Sequence, residues 1–311
     1  MADLAVFYEH PSWFAPLFAA LDRRGVDWTA IPIQDHTFDP ADSRLPAGVI
    51  LNRLAMSSFL RQDEHALFYS QAVLDHWRGL GARVINGAEV LAYDTNKARQ
   101  LSLFRRAGLA IPVTRVAHRR TDAQRLAAQI GYPVMVKANV GGSGAGMIRY
   151  DSAEALEADV ADGLTPVGVD GVFMVQEYVP ARDGRVIRCE VLDGRLLYAI
   201  ALDGAGATFD LCPAEVCLVD KPQITVSAYT PPRAIQAAVE RVSDLAGLDV
   251  GGIEYMIDDR DGAAKFYDLN ALSNFVARPI EVLGYDPHDV FVDYLVRQIA
   301  ARAGAPQGVE A

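Results

Sequence analysis

Residues 131–147 read GYPVMVKANVGGSGAGM, and the run Gly141-Gly142-Ser143-Gly144-Ala145-Gly146 within them decides how the chain is to be understood. Four glycines in six positions let a backbone approach a ligand closely and take positive φ angles. Consecutive amide N–H groups in such a loop make a concavity suited to anions. An apolar run (VMVKANV) precedes the loop and a strand-like run (MIRY) follows it, so the loop is expected at the tip of a β-hairpin. A Walker loop or a dinucleotide fingerprint would instead open a helix. A glycine-rich tip can also be a mere flexible turn. Lys137 tilts the balance: it lies four residues before the loop in an apolar strand, where an ammonium is costly unless an anion meets it.

Working outward, Lys97 opens a helical stretch (97–107) that Gly108 closes. Alone it reads as a solvated helix lysine. Downstream, residues 173–180 (FMVQEYVP) form an apolar strand that turns amphipathic and stops at proline. Such a segment can offer edge backbone groups to a purine and a carboxylate to a ribose. Residues 185–192 and 195–201 flank Asp193-Gly194, a strong two-residue hairpin signal. On the first of these strands Arg188 and Glu190 share a face, as an ion pair or as part of a site. Near the C-terminus, GIEYMI (252–257) and AKFYDLN (264–270) flank Asp258-Asp259-Arg260-Asp261-Gly262. A hairpin symmetric about Asp261 puts Glu254 opposite Asp268, with Asn270 on the same face as Asp268. Opposed like charges destabilise a sheet unless a cation lies between them. Two carboxylates and an amide oxygen are hard donors suited to Mg²⁺; the alternative is that both acids face solvent.

The first 92 residues have a different character. Leu4–Tyr8, Trp28–Ile33, Gly48–Leu51 and Arg83–Ile85 read as strands, and residues 12–24 and 64–80 as helices, with Ser12 a candidate cap. Strand–helix alternation implies a small open parallel α/β unit. Ligands of such sheets gather at the carboxyl ends of the strands, which points to Glu9, His10, Asn52 and Arg53. Arg53 suits a substrate carboxylate held by two parallel hydrogen bonds, and equally a salt bridge to a neighbouring unit; His10 reads as a satisfied loop histidine. Beyond residue 94, Ile111-Pro112-Val113 is expected to begin a strand and Thr121 to cap a helix through Ile130, and residues 304–311 read as a tail.

Composition narrows the function. Of 311 residues 51% are hydrophobic and 22% charged, and the net charge is −11 without any Lys/Arg-rich run. Nucleic acid and membranes are therefore not expected partners, since both need a basic footprint. Cys189, Cys212 and Cys217 form no CxxC pair, so reduced thiols in the cytoplasm are expected. The start of the chain lacks the pattern of a secretory signal, and no apolar run reaches the ~20 residues of a membrane span. Cys212 and Cys217 carry no functional reading.

In order, the helical Lys97, GYPVMVKANVGGSGAGM, VQEYVP, VIRCEVLDG and GGIEYMID…KFYDLNAL resemble the ATP-grasp superfamily, and most closely its RimK-like carboxylate–amine ligases, over residues 94–300. The resemblance implies a mixed α/β (α+β) fold: a pre-ATP-grasp α/β domain (1–92), a central subdomain with the glycine loop (93–178), and a C-terminal subdomain with a metal site (179–303). It implies that Lys97 and Lys137 hold ATP phosphates under a loop that includes Gly141, Gly142, Ser143 and Gly144. Gln176, Glu177, Tyr178 and Val179 would line the adenine, with Glu177 or Asp183 near the ribose. Arg188 would steady the transferring phosphoryl group, and Glu254, Asp268 and Asn270 would bind one or two Mg²⁺, with Mn²⁺ as an alternative. The chain departs from the pattern at Val186, where an acid is usual, at Glu254 in place of Asp, and at Asp268 in place of Glu. Residues 271–275 (ALSNF) lack the proline–glycine turn of D-alanine ligases, which argues against a cell-wall dipeptide role and leaves the acceptor site, with Asn274 in it, unread.

The activity implied is ATP-dependent amide formation through an acyl phosphate, between a small-molecule or peptide carboxylate and an amine, in a protein compatible with a homodimer. A kinase acting on a hydroxyl and a non-catalytic ATP-binding module are the rival classes. Hydroxylamine trapping separates the first, and failure to form ADP with any substrate would favour the second.

Overall fold

A computed structural model of the chain describes residues 2–61, 65–142, 146–204 and 224–304. Ser143 and Gly144 of the glycine loop, together with Cys212 and Cys217, lie outside them. In chain order the elements are β1 (Ala2–Tyr8), α1 (Ala15–Arg23), β2 (Trp28–Pro32), β3 (Ala47–Arg53), α2 (Ala66–Gly79), β4 (Arg83–Ile85), α3 (Ala88–Asp94), α4 (Lys97–Arg106), β5 (Thr114–Ala117), α5 (Ala123–Ile130), β6 (Val134–Ala138) and β7 (Met147–Tyr150). There follow α6 (Ala153–Ala161), β8 (Phe173–Glu177), β9 (Ala181–Leu192), β10 (Arg195–Asp203), β11 (Thr225–Tyr229), α7 (Arg233–Ala246), β12 (Val250–Asp258), β13 (Ala264–Asn270), α8 (Pro279–Leu283) and α9 (Pro287–Ala303).

Alternation along β1 explains the first layer. Leu4 and Val6 pack with Leu17 and Leu21 of α1 and with Phe291 and Leu295 of α9. Ala5 and Phe7 face the other way, onto Leu67, Leu74 and Trp77 of α2. A strand apolar on both faces belongs in a covered parallel sheet, and the strand order is β2-β1-β3-β4 with every pair parallel. The start of α1 differs from expectation. Residues Pro11–Phe14 form a 3-10 turn with no side-chain cap, and Ser12 Oγ bonds His10 Nδ1 instead. Thr121 likewise lies inside a 3-10 turn, so α5 begins at Ala123 and Thr121 does not cap it. Residues 111–113 precede β5 rather than belonging to it.

Two antiparallel sheets complete the fold. The smaller has the order β5-β8-β6-β7, with α5 and α6 packed through Leu126 and Leu156 against Val134, Val136, Phe173 and Val175. The larger, β11-β10-β9-β12-β13, is covered on one face by α4 and α7 through Phe104, Val239 and Val242, which meet Cys189, Val191, Ile253 and Tyr255. Its opposite face turns Val186, Ile200 and Leu202 toward the parallel sheet. Arg188 and Glu190 of β9, Glu254 of β12, and Asp268 and Asn270 of β13 lie on that second face. Among the described residues no helix is long and apolar enough to cross a membrane.

Asn86 joins the layers. It is buried just beyond β4, and its Nδ2 donates to the carbonyls of Val250 (2.6 Å) and Ala271 (2.7 Å) while its Oδ1 accepts from the Asp249 amide. Arg83 forms an ion pair with Asp249, whose Oδ1 also accepts from Tyr294. The parallel sheet is thereby bonded to both ends of the β12–β13 hairpin.

Candidate functional site

The register of the larger sheet sets out a row of charge. Glu254 on β12 lies opposite Arg188 on β9 and, on its other side, opposite Asp268 on β13. The neighbouring row contains Glu190, Gly252 and Asn270. Arg188 donates from Nε to Glu190 and from Nη1 to Glu254 Oε1 at 2.9 Å, while Glu254 Oε2 accepts from Tyr267 at 3.0 Å. The hairpin is in the expected register from Gly252 to Glu254, then shifts by one residue. Tyr267 is the extra residue of that bulge, and its hydroxyl reaches Glu254. The Arg188–Glu190 pair is buried, not the surface ion pair weighed from the sequence.

Burial pushes the Glu254 carboxyl up, with Asp268 adding to the push, against the opposing charge of Arg188. For Arg188, burial alone would lower the guanidinium, but Glu190 and Glu254 more than offset it and hold it charged. Two carboxylates in register with a carboxamide two residues on are hard oxygen donors, a set that fits a divalent cation of the Mg²⁺ type. Among the described residues no three His, Cys, Asp or Glu side chains converge as a complete cage. Mg²⁺ commonly takes its remaining ligands from water and substrate phosphates.

Lys97 reaches this row from the start of α4 and bonds Asp268 Oδ1. Several contacts aim that helix. Asn96 Oδ1 accepts from Arg99 N, and Asn139 Oδ1 accepts from Ala98 N at 3.0 Å, which satisfies two of the free donors at the helix start. Gln100, buried within α4, brackets Leu269 by donating to its carbonyl and accepting from its amide. Asn139 lies just past β6, on the way into the glycine loop, so one asparagine couples loop and lysine. Lys137 Nζ donates to Gln176 Oε1 at 2.7 Å and lies 5.7 Å from the Tyr267 ring centroid. Burial, then Lys97, pushes its ammonium down to about 8.

The loop leaves β6 beside the parallel domain. A Cβ on Gly142 would come 2.8 Å from Ser57 Cβ, so only glycine permits this approach to the turn after β3. On the hinge side, Glu177 accepts from Val113 N and Arg260 Nη2, both at 2.8 Å. Gln176 is buried, Val179 packs below, and the Tyr178 ring lies 4.0 Å from the Arg149 guanidinium carbon. Asp183 is exposed at φ +57° near the start of β9.

The candidates on the parallel sheet divide. Asn52 is used structurally, donating to the Asn86 carbonyl and accepting from Leu54 N. Glu9 forms an ion pair with Arg61, and His10 stacks on Trp13. Arg53 is buried and donates to the Ser273 carbonyl, but among the described residues it makes no salt bridge to a carboxylate of the neighbouring unit. Asn274 follows Ser273, and its Oδ1 is buried without a partner. Asn86, Gln100, Asn139 and Gly252 were missed by sequence reasoning. Only Asn139, two residues before the glycine loop, carried a local signal.

Asp94 ends α3 behind the row, accepting from Ala271 N at 2.8 Å while its Oδ2 has no partner. Burial lifts its carboxyl from 3.8 to about 7. The native state therefore holds this proton more tightly than the unfolded chain. Stability falls as pH rises from about 4 to 7, and the full penalty is present above 7. Asp94→Asn removes that charge. Urea unfolding is expected to show the balance shifting toward the variant by ~3 kcal/mol between pH 5 and pH 8, at ~1.4 kcal/mol per pH unit until the carboxyl is fully ionised in the wild type. A gap independent of pH would contradict this.

Residues 94–275 match the RimK-like ATP-grasp domain. A probable alpha-L-glutamate ligase of Pectobacterium carotovorum is 30% identical over 194 residues, 62% of this chain and 61% of that protein. A ribosomal protein bS6–L-glutamate ligase of Escherichia coli is 30% identical over 187 residues, 59% of this chain and 60% of that one. The chain thus spans about three-fifths of the length of these curated relatives. Among solved structures, the ATP-grasp ligase PsnB complexed with a phosphomimetic variant of its minimal precursor, Mg and ADP superposes with a TM-score of 0.70 at 19% identity, covering 96% of this chain and all of that one. The D-alanine–D-alanine ligase of Bacillus anthracis complexed with ATP superposes at 0.68 with 13% identity, covering 97% of this chain and 99% of that one. At these identities the two superpositions speak for the fold.

Proposed function

We propose, from the premise that this chain belongs to the RimK-like ATP-grasp family, that it is an ATP-dependent carboxylate–amine ligase acting through an acyl phosphate. The observation that carries the reading is the cross-strand row Arg188–Glu254–Asp268, with Lys97 bonded to its end. Phosphoryl transfer demands mainly positioning and neutralisation of charge, and this row supplies both signs of charge in a buried place.

In this reading Lys97 and Lys137 bind the ATP phosphates, and the loop from Gly141 to Gly146 closes over them to exclude water. Residues 176–179 receive the adenine, with Glu177 or Asp183 at the ribose. Arg188, held by Glu190, orients the substrate carboxylate and steadies the charge that develops in transfer. Glu254, Asp268 and Asn270 hold Mg²⁺, which when bound offsets repulsion between carboxylate and phosphate. Lys97 exchanges Asp268 for a phosphate oxygen when nucleotide enters. We assign subdomains 1–92, 93–178 and 179–303, each containing one sheet, with α4 packed across onto the larger sheet and α9 onto the parallel one. Relatives named for adding L-glutamate support an amino acid among the substrates, and the cysteine usage supports a cytoplasmic location.

A panel of carboxylates supplied with ATP, Mg²⁺ and hydroxylamine tests the reading. Hydroxamate accompanying ADP is expected. Phosphorylated product without hydroxamate would mean transfer to a hydroxyl, and no ADP with any acid would end the ligase assignment.

The Lys137 ammonium gives a pH test. Above about 8 a growing fraction is neutral, and a neutral amine binds phosphate poorly. Affinity for AMP-PNP with Mg²⁺ is expected to fall toward ~10-fold per pH unit above that point. Lys137→Arg keeps its charge and should flatten the profile. Calorimetric titration between pH 7 and 9.5 reads both proteins, and a flat wild-type profile would remove Lys137 from the phosphate site.

A further inference from the structure

We propose that Arg53 docks a second carboxylate, one that a substrate carries besides the carboxylate being activated, so that the substrates include an amino acid or a dicarboxylic acid. The proposal deepens the ligase reading and rests on it.

Arg53 is only 2% exposed. Its Nη2 donates to the Ser273 carbonyl, whereas Nε and Nη1, which carry three of the five guanidinium N–H groups, are buried without an acceptor among the described residues. The rings of Phe14 and Phe291 lie 5.2 and 5.7 Å from its central carbon. Aromatic faces hold a cation in place without neutralising it. Among the described residues Arg188 is matched by Glu190 and Glu254, Lys97 by Asp268, and Arg61 by Glu9; Lys137, which like Arg53 has no acid partner, is the lysine read as a phosphate ligand. The acids that influence Arg53, Glu190 and Asp94, act on it only through space. A buried guanidinium with unused donors is destabilising unless an anion completes it.

Position says what the anion belongs to. Arg53 ends β3 at the carboxyl edge of the parallel sheet, where open α/β sheets receive ligands. Ser273 lies three residues past Asn270, and three residues of chain span at most ~11 Å. A small molecule with one end beside Asn270 can therefore set its other end against Arg53. Next to Ser273, the unpartnered Asn274 carboxamide oxygen offers an acceptor to an N–H group. A planar fork of free N–H donors suits a carboxylate held by two parallel hydrogen bonds. The neighbouring His288 imidazole adds no second charge, since burial favours its neutral form.

Matched pairs decide it: amino acids against their amides as amines, and dicarboxylates against their monoamides as acids, assayed for ADP release with wild type, Arg53→Gln and Arg53→Lys. The wild type is expected to prefer the carboxylate-bearing member of one pair by ~100-fold in kcat/KM. That ratio should fall to within ~3-fold in Arg53→Gln through KM, with KM for ATP unchanged and Arg53→Lys in between. Which pair responds identifies the amine or the acid as the carrier. A ratio unchanged in Arg53→Gln, or a wild type indifferent to both pairs, would overturn the proposal and leave Arg53 linked to Glu190 through water. If no pair yields ADP the ligase reading fails, and thermal unfolding in succinate then tests Arg53 alone. Saturable stabilisation of the wild type and not of Arg53→Gln supports the site; equal shifts, or none, overturn it.

Discussion

Asp268→Asn is expected to lower turnover by about a thousandfold, roughly 4 kcal/mol of transition-state stabilisation, while nucleotide affinity stays within a few-fold. Asp268 faces Glu254 across the β12–β13 pair, accepts from Lys97, and is touched by Asn270 Nδ2 at 3.3 Å. Asparagine keeps the shape but removes the charge and turns one oxygen into a donor, which cannot ligate a divalent cation. Nucleotide should still bind, because Lys97 and Lys137 keep their charges and Lys97 loses an anionic competitor. Single-turnover ADP formation reads the first effect and calorimetry with AMP-PNP the second. Full turnover in this variant would remove Asp268 from the metal site, and loss of nucleotide binding would place it in the ATP pocket as a structural element.

Gly252→Ala is the second variant with a large expected effect, and it changes a residue with no chemistry of its own. A Cβ at Gly252 would come 2.5 Å from Cζ and Nη2 of Arg188 and 2.6 Å from its Nε. The guanidinium lies across β12 in the space that the glycine leaves. A flexible arginine usually yields at little cost. Here yielding strands Glu190 and Glu254, which are 0% and 5% exposed, and breaking a buried pair costs about 3–5 kcal/mol. The variant should lose ~2–4 kcal/mol of stability in urea and about a hundredfold in turnover, with nucleotide affinity largely kept. Arg188→Lys, which keeps the charge but not the fork of donors, should lose turnover with a smaller change in stability. Wild-type stability and activity in Gly252→Ala would mean that Arg188 is not pinned where it lies.

The legible parts of the chain were those encoded over short distances. The unbroken apolar run LAVFY and the strand–helix alternation after it announced an open parallel α/β unit, and β1, β3 and β4 appear close to where the pattern put them. Asp193-Gly194 announced the β9–β10 turn. Symmetry about Asp261 placed Glu254 opposite Asp268, although the register slips at Tyr267, where one hydroxyl is diverted to Glu254. Caps were read less well. Ser12 and Thr121 have the right chemistry for an N-cap, yet both lie inside 3-10 turns that the backbone adopts before the helix starts.

Within this RimK-like ATP-grasp chain, local pattern alone determined the elements, the two hairpins, the glycine tip and the residue types able to meet phosphate and cation. Tertiary structure decided that β9 lies beside β12, some sixty residues away, which brings Arg188 against Glu254 and needs a glycine at 252. It also decided that Asn86, Gln100 and Asn139 fasten the layers, and that Arg53 is enclosed by aromatic rings with donors to spare. Dihedral preference and side-chain periodicity act over a few residues. The pairing of distant strands and the desolvation of a charge depend on surroundings that exist only once the whole chain has packed.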